Sequence, residues 1–80
     1  MRLAIKMPKV TYEMETGIVQ GWRKSAGDHV TAGEIVADIE TEKVVVELES
    51  PATGTLIEIV HGVGAEVPVL TPVGWLQTGD

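Results

Sequence analysis

No eleven-residue window of the sequence keeps an apolar face at i, i+3, i+4 spacing without a glycine or proline breaking it. That disfavours a helical bundle and leaves short extended segments as the means of burying apolar side chains. Composition agrees: valine (12), isoleucine (6) and threonine (8) supply 26 of the 80 residues, and phenylalanine is absent. Branched side chains lose little freedom on a pleated surface, so this excess favours strands. The length suits one small domain, which buries only about 60–65% of its unfolded surface, so the core is thin. Without cysteine, neither a disulfide nor a thiolate metal site can reinforce it. Six basic against twelve acidic residues leave a charge of −6, which argues against a phosphate-backbone partner, and no nucleic acid is expected. No apolar run approaches the ~18–20 residues of a membrane span. Met1 to Lys6 also lacks the apolar stretch of a secretory signal.

Read for strands and turns, the chain is regular. Apolar segments run from Leu3 to Met7, Gly17 to Trp22, His29 to Val30, Glu34 to Glu40, Val44 to Glu49 and Leu56 to His61. Two shorter ones follow around Val67–Val69 and Val73–Gln77. Turns are expected at Ser25–Asp28, Gly33, Thr41–Lys43, Pro51–Gly54 and Gly62–Gly64. The alternation of Val44, Val46 and Leu48 with Val45, Glu47 and Glu49 predicts the first set inside and the second facing water. Such spacing predicts an all-β sandwich or small barrel.

Residues 5–41 laid on 42–78 expose a weak internal repeat. Lys6 meets Lys43, Thr16 meets Thr53, Gly17 meets Gly54 and Gly27 meets Gly64. Val30 meets Val67, Val36 meets Val73 and Thr41 meets Thr78. Two copies of one unit can close their apolar faces on a shared core, which predicts two four-stranded antiparallel sheets related by a pseudo-two-fold axis. On this alignment Lys6 is the partner of Lys43, and the chain ends should emerge together, far from Lys43.

Little here can carry catalysis. His29 and His61 sit beside turns with no spacing that joins them, and no metal site or catalytic residue is expected. Glu40, Glu42, Glu47 and Glu49 read as a solvated hairpin face, since so small a barrel has little room for a substrate cleft. One position stands apart. Lys43 lies at the tip between two strong strand segments, with only Thr41 and Glu42 beside it as connecting material.

Asp38-Ile39-Glu40-Thr41-Glu42-Lys43-Val44 closely resembles the modification motif of lipoyl domains, in which an acidic residue precedes the lipoyl-lysine and a small or branched apolar residue follows. The resemblance covers nearly the whole chain. Met7-Pro8-Lys9, Met14-Glu15-Thr16-Gly17, Gly27-Asp28-His29-Val30, Ser50-Pro51-Ala52-Thr53-Gly54 and Val67-Pro68-Val69 stand where that family places comparable segments. It implies a flattened β-barrel of two four-stranded sheets, a barrel-sandwich hybrid. It also implies lipoate attached covalently to Lys43, flanked by Glu42 and Val44.

On this resemblance the chain is a non-catalytic swinging-arm carrier, the N-terminal part of a dihydrolipoamide acyltransferase in a 2-oxo acid or acetoin dehydrogenase complex. The implied partners are a lipoate-attaching enzyme, a thiamine-dependent dehydrogenase, the acyltransferase catalytic domain and the flavoprotein dihydrolipoamide dehydrogenase. Glu40, Thr41, Thr11 and Tyr12 are the candidates for partner recognition, the last two on a loop expected near the modified tip. Residues 1–78 are read as the domain and 79–80 as the start of a linker or tail. The implied location is cytoplasmic, or the mitochondrial matrix in a eukaryote. Departures from the family lie at Thr11-Tyr12, at Leu70, where glycine is frequent, and at the bulky Trp75. A biotin carboxyl carrier domain shares the architecture, but its lysine is typically flanked by methionines. An unmodified structural or docking barrel is the other alternative.

Overall fold

A computed structural model describes residues 1–79. Eight strands form, with no helix among the described residues: β1 (Arg2–Lys6), β2 (Thr16–Trp22), β3 (His29–Val30), β4 (Ile35–Glu40), β5 (Val45–Glu49), β6 (Gly54–Ile59), β7 (Glu66–Pro68) and β8 (Pro72–Thr78). They make two antiparallel four-stranded sheets, ordered β1-β8-β6-β3 and β5-β4-β2-β7. The expected all-β fold is therefore observed as a flattened sandwich rather than a closed barrel.

Alternation sets the faces. Val19, Val36, Ile39, Leu56, Val73 and Leu76 have no exposed surface and meet between the sheets. No buried side-chain nitrogen or oxygen among the described residues lacks a partner; Ser50, the one buried polar residue in the core region, donates to the Ala52 carbonyl at 2.7 Å. Trp22 extends the core at one corner and donates its indole N–H to the His61 carbonyl at 2.9 Å. Trp75 is accommodated differently: it stays half-exposed on β8, with the Arg2 guanidinium 5.2 Å above its ring.

The internal repeat is written into the registers. β2, β4 and β7 of one sheet correspond to β6, β8 and β3 of the other. The irregularity between Val19 and Gly21 recurs between Leu56 and Glu58. β1 corresponds to β5, but not on the alignment expected from the sequence. Leu3 opposite Leu76 matches Val46 opposite Ile39, and Lys6 opposite Pro72 matches Glu49 opposite Ile35. Lys6 is thus the counterpart of Glu49, not of Lys43. The alignment slips because the segment 7–15 before β2 is longer than the segment 50–53 before β6.

Two smaller expectations change. Val44 does not face the core: β5 begins one residue later, and Val44 belongs to the turn, 55% exposed. Gly54 is not in a turn but is a buried strand residue paired with both Val30 and Thr78. The Gln77 carbonyl oxygen occupies the space a side chain would need there. The chain ends do meet, since the Thr78 N–H donates to the Met1 carbonyl at 2.8 Å. Asp80 of the expected tail lies outside the described residues.

Candidate functional site

Strands β4 and β5 form a hairpin whose tip is Thr41-Glu42-Lys43-Val44. Glu42, Lys43 and Val44 are all exposed, so no core contact fixes them. The tip is held instead by Thr41. Its backbone N–H donates to the Val44 carbonyl at 2.9 Å, and its hydroxyl donates to that same oxygen at 2.8 Å. The hydroxyl also accepts from the Val44 N–H at 3.1 Å and, more weakly, from the Lys43 N–H at 3.4 Å. Among the described residues the Lys43 ammonium has no ion-pair partner.

Beneath the hairpin, Arg23 spans its two strands. It makes two hydrogen bonds to Asp38 on β4, at 2.8 and 3.1 Å, and one to Glu47 on β5 at 3.1 Å. The arginine is partly exposed, so solvent weakens each pair. Its role is to tie neighbouring strands, and its own pKa is raised chiefly by the hydrogen bond to Asp38.

Facing the hairpin is the loop between β1 and β2. Met14 pins that loop to the sandwich: it is 9% exposed, and its sulfur accepts from the Val10 N–H at 3.5 Å. Loop and hairpin enclose an open groove of about 910 Å³, with Val10, Met14, Ile18 and Val44 as its apolar lining. Its rim carries Glu13, Glu15, Glu40, Glu42 and Glu66 beside Lys43. Thr11, Glu40 and Thr41 therefore come together as the sequence reading expected. Tyr12 lies on the same loop but stands almost wholly in solvent, 99% exposed, and does not pack over the end of the sandwich. Sequence reasoning missed Glu66, which accepts from the Thr16 hydroxyl at 2.8 Å. The pairing of β2 with β7 brings it to the groove, and only strand order could have revealed that.

The arrangement offers one accessible primary amine on a braced hairpin beside a walled groove. No group of three or more histidine, aspartate or glutamate side chains among the described residues is placed to hold a metal ion. The class that this hairpin suggests is a domain that presents a lysine, and comparison with known proteins agrees with that class. The biotin/lipoyl family model, described as "Biotin-requiring enzyme", matches residues 3–75, and the chain belongs to this family. Within it the chain is a lipoyl domain, a small non-catalytic carrier. The solution structure of the lipoyl domain of the 2-oxoglutarate dehydrogenase complex from Azotobacter vinelandii superposes with a TM-score of 0.74 at 34% identity, covering 96% of this chain and all of that one.

Two curated relatives add context. The dihydrolipoyllysine-residue acetyltransferase component of the acetoin cleaving system of Bacillus subtilis is 41% identical over 95% of this chain. The pyruvate dehydrogenase E1 component subunit beta of Rhizobium meliloti is 38% identical over the whole of it. This chain spans 19% and 18% of their respective lengths.

Proposed function

We propose that Lys43 carries lipoate in amide linkage and that the domain shuttles acyl groups and reducing equivalents between active sites of a 2-oxo acid or acetoin dehydrogenase complex. The observation that carries this reading is the exposed Lys43 amine at the tip of a hairpin braced by Thr41 and Arg23, in a chain of the lipoyl-domain family. The residues fit such a group. Lys43 is unobstructed, and the apolar side chains of the groove beside it suit a hydrocarbon arm.

Attachment requires the neutral amine to attack the carbonyl carbon of an activated lipoyl group. The leaving group departs with the bonding electron pair, and the nitrogen gives up one proton. The attaching enzyme must therefore bind the amine in its neutral form. When bound, lipoate supplies a strained disulfide that accepts electrons and an acyl group. Lys43 would hold that disulfide at the end of a flexible tether. Tethering replaces diffusion by a high local concentration at each active site.

The partners follow from that role: a lipoate-attaching enzyme, a thiamine-dependent dehydrogenase, an acyltransferase catalytic domain and a flavoprotein that reoxidises the arm. We assign residues 1–78 to the carrier domain of an acyltransferase that works in the cytoplasm or mitochondrial matrix. Glu40, Thr11 and Tyr12 offer the recognition surface beside the tip, and Glu42 and Val44 flank the acceptor. Tyr12→Ala should lower reductive acylation by the dehydrogenase roughly tenfold, as loss of an aromatic contact does, with attachment unchanged; unaltered acylation kinetics would remove Tyr12 from that surface. Intact mass of the protein from lipoate-fed cells tests the cofactor itself. A lipoyl adduct is expected, whereas a biotinyl adduct or a bare chain would overturn the assignment.

A further inference from the structure

The geometry points to Thr41 as the positioning residue for attachment at Lys43, acting through the turn rather than by contact with a partner. This inference rests on the reading of Lys43 as the acceptor. A hydroxyl has one donor and two acceptor sites, and all three of Thr41's are used inside the turn. It donates to the Val44 carbonyl at 2.8 Å and accepts from the Val44 and Lys43 N–H groups at 3.1 and 3.4 Å. The two shorter of these bonds are both spent inside the turn, so the hydroxyl is occupied there whatever else Thr41 touches.

The hydroxyl matters because little else fixes the tip. Glu42, Lys43 and Val44 are exposed and make no side-chain hydrogen bond within the described residues. Apart from the Thr41 N–H, the backbone around the acceptor amine is ordered by that single side chain. Without it, only a fraction of molecules present Lys43 in the geometry that the attaching enzyme binds. Apparent affinity falls in proportion to that fraction.

The other half of the molecule supplies a matched control. Thr78 donates its N–H and its hydroxyl to the Met1 carbonyl, at 2.8 and 3.2 Å, as Thr41 does to Val44. Thr78→Val therefore removes a comparable hydrogen bond at the chain ends, away from the hairpin. The test measures steady-state attachment to the unmodified 80-residue chain with purified lipoate-attaching enzyme, lipoate and ATP. Thr41→Val should raise KM about five- to tenfold, the factor set by one net hydrogen bond, with kcat little changed. Thr41→Ser should restore KM, and Thr78→Val should leave it at the wild-type value. Amide exchange at Lys43 and Val44 should speed up in T41V, revert in T41S and stay unchanged in T78V. Should T41V fail to fold, T41A makes the same comparison. Wild-type kinetics in the valine or alanine variant would overturn the positioning role, as would equal slowing by T78V. A wild-type chain that accepts no lipoate would instead refute the assignment of Lys43.

Discussion

The two halves of the molecule share registers, bulges and turns up to one point, where they part. In one half Thr41 closes onto Val44 through a covalent hairpin; in the other Thr78 closes onto Met1, where the chain ends come together. The fold therefore builds the same clasp twice. Only one copy has Glu42 and Lys43 threaded through it, and only that copy faces the longer loop 7–15 across a groove. What distinguishes the candidate site is the connection and its neighbour, not the sheet that supports them.

The first way to break the comparison is at its paired glycines. A methyl at Gly17 would lie 2.6 Å from the Met7 sulfur, a flexible side chain, whereas one at Gly54 would press on the Gln77 backbone. Gly54→Ala should cost about 3 kcal/mol and Gly17→Ala about 1–2 kcal/mol, following overpacking elsewhere. Urea denaturation measures both. Equal losses would mean that the two positions are equally free to relax.

These glycines also show what the sequence could reveal. Alternation and turn residues are local signals, so all eight strands were legible within two residues at either end. Gly17 and Gly54 even marked the repeat. That Gly54 sits inside a strand was not legible, because its reason is the Gln77 backbone, distant in sequence. The Lys6–Lys43 pairing failed for a similar cause: a constant shift cannot see that one loop is longer. The acceptor candidate was legible from its motif, whereas the bracing by Arg23 and the contribution of Glu66 depend on strand order.

A smaller effect sharpens the comparison at another matched pair. Gly33 and Leu70 occupy equivalent positions, and both adopt the left-handed conformation, with φ of 86° and 67°. A side chain with a β-carbon meets a carbonyl there, at a cost of about 1–2 kcal/mol. Gly33→Leu should therefore destabilise by about 1 kcal/mol. Leu70→Gly should stay within about 0.5 kcal/mol of the parent, because relief of strain is offset by the greater freedom of unfolded glycine. Thermal denaturation decides; a strongly stabilised L70G would mean that the strain at Leu70 dominates.

The smallest effect concerns acid. Glu34 on the turn before β4 accepts from the Lys24 ammonium at 2.8 Å and from the Thr31 N–H at 2.9 Å. Those bonds lower its pKa, the Lys24 hydrogen bond most and the Thr31 N–H next. A carboxylate with a depressed folded pKa stabilises the fold above its unfolded pKa, near ~4.3, and that contribution is lost as pH falls through the folded value. Glu34→Gln should therefore flatten the melting temperature against pH below about 4.5 and lower it slightly at neutral pH. An unchanged acid limb would show that the exposed pair contributes nothing.

The central claim is that one lysine, at one place on one turn, accepts the arm. Peptide mapping of the modified protein, run beside the exchange variant Glu42→Lys/Lys43→Glu, tests it most directly. Lipoate should appear on Lys43 alone, and the exchanged chain should fold yet remain essentially unmodified. Lipoate on Lys6 or Lys9, or full modification of the exchanged chain, would contradict the account.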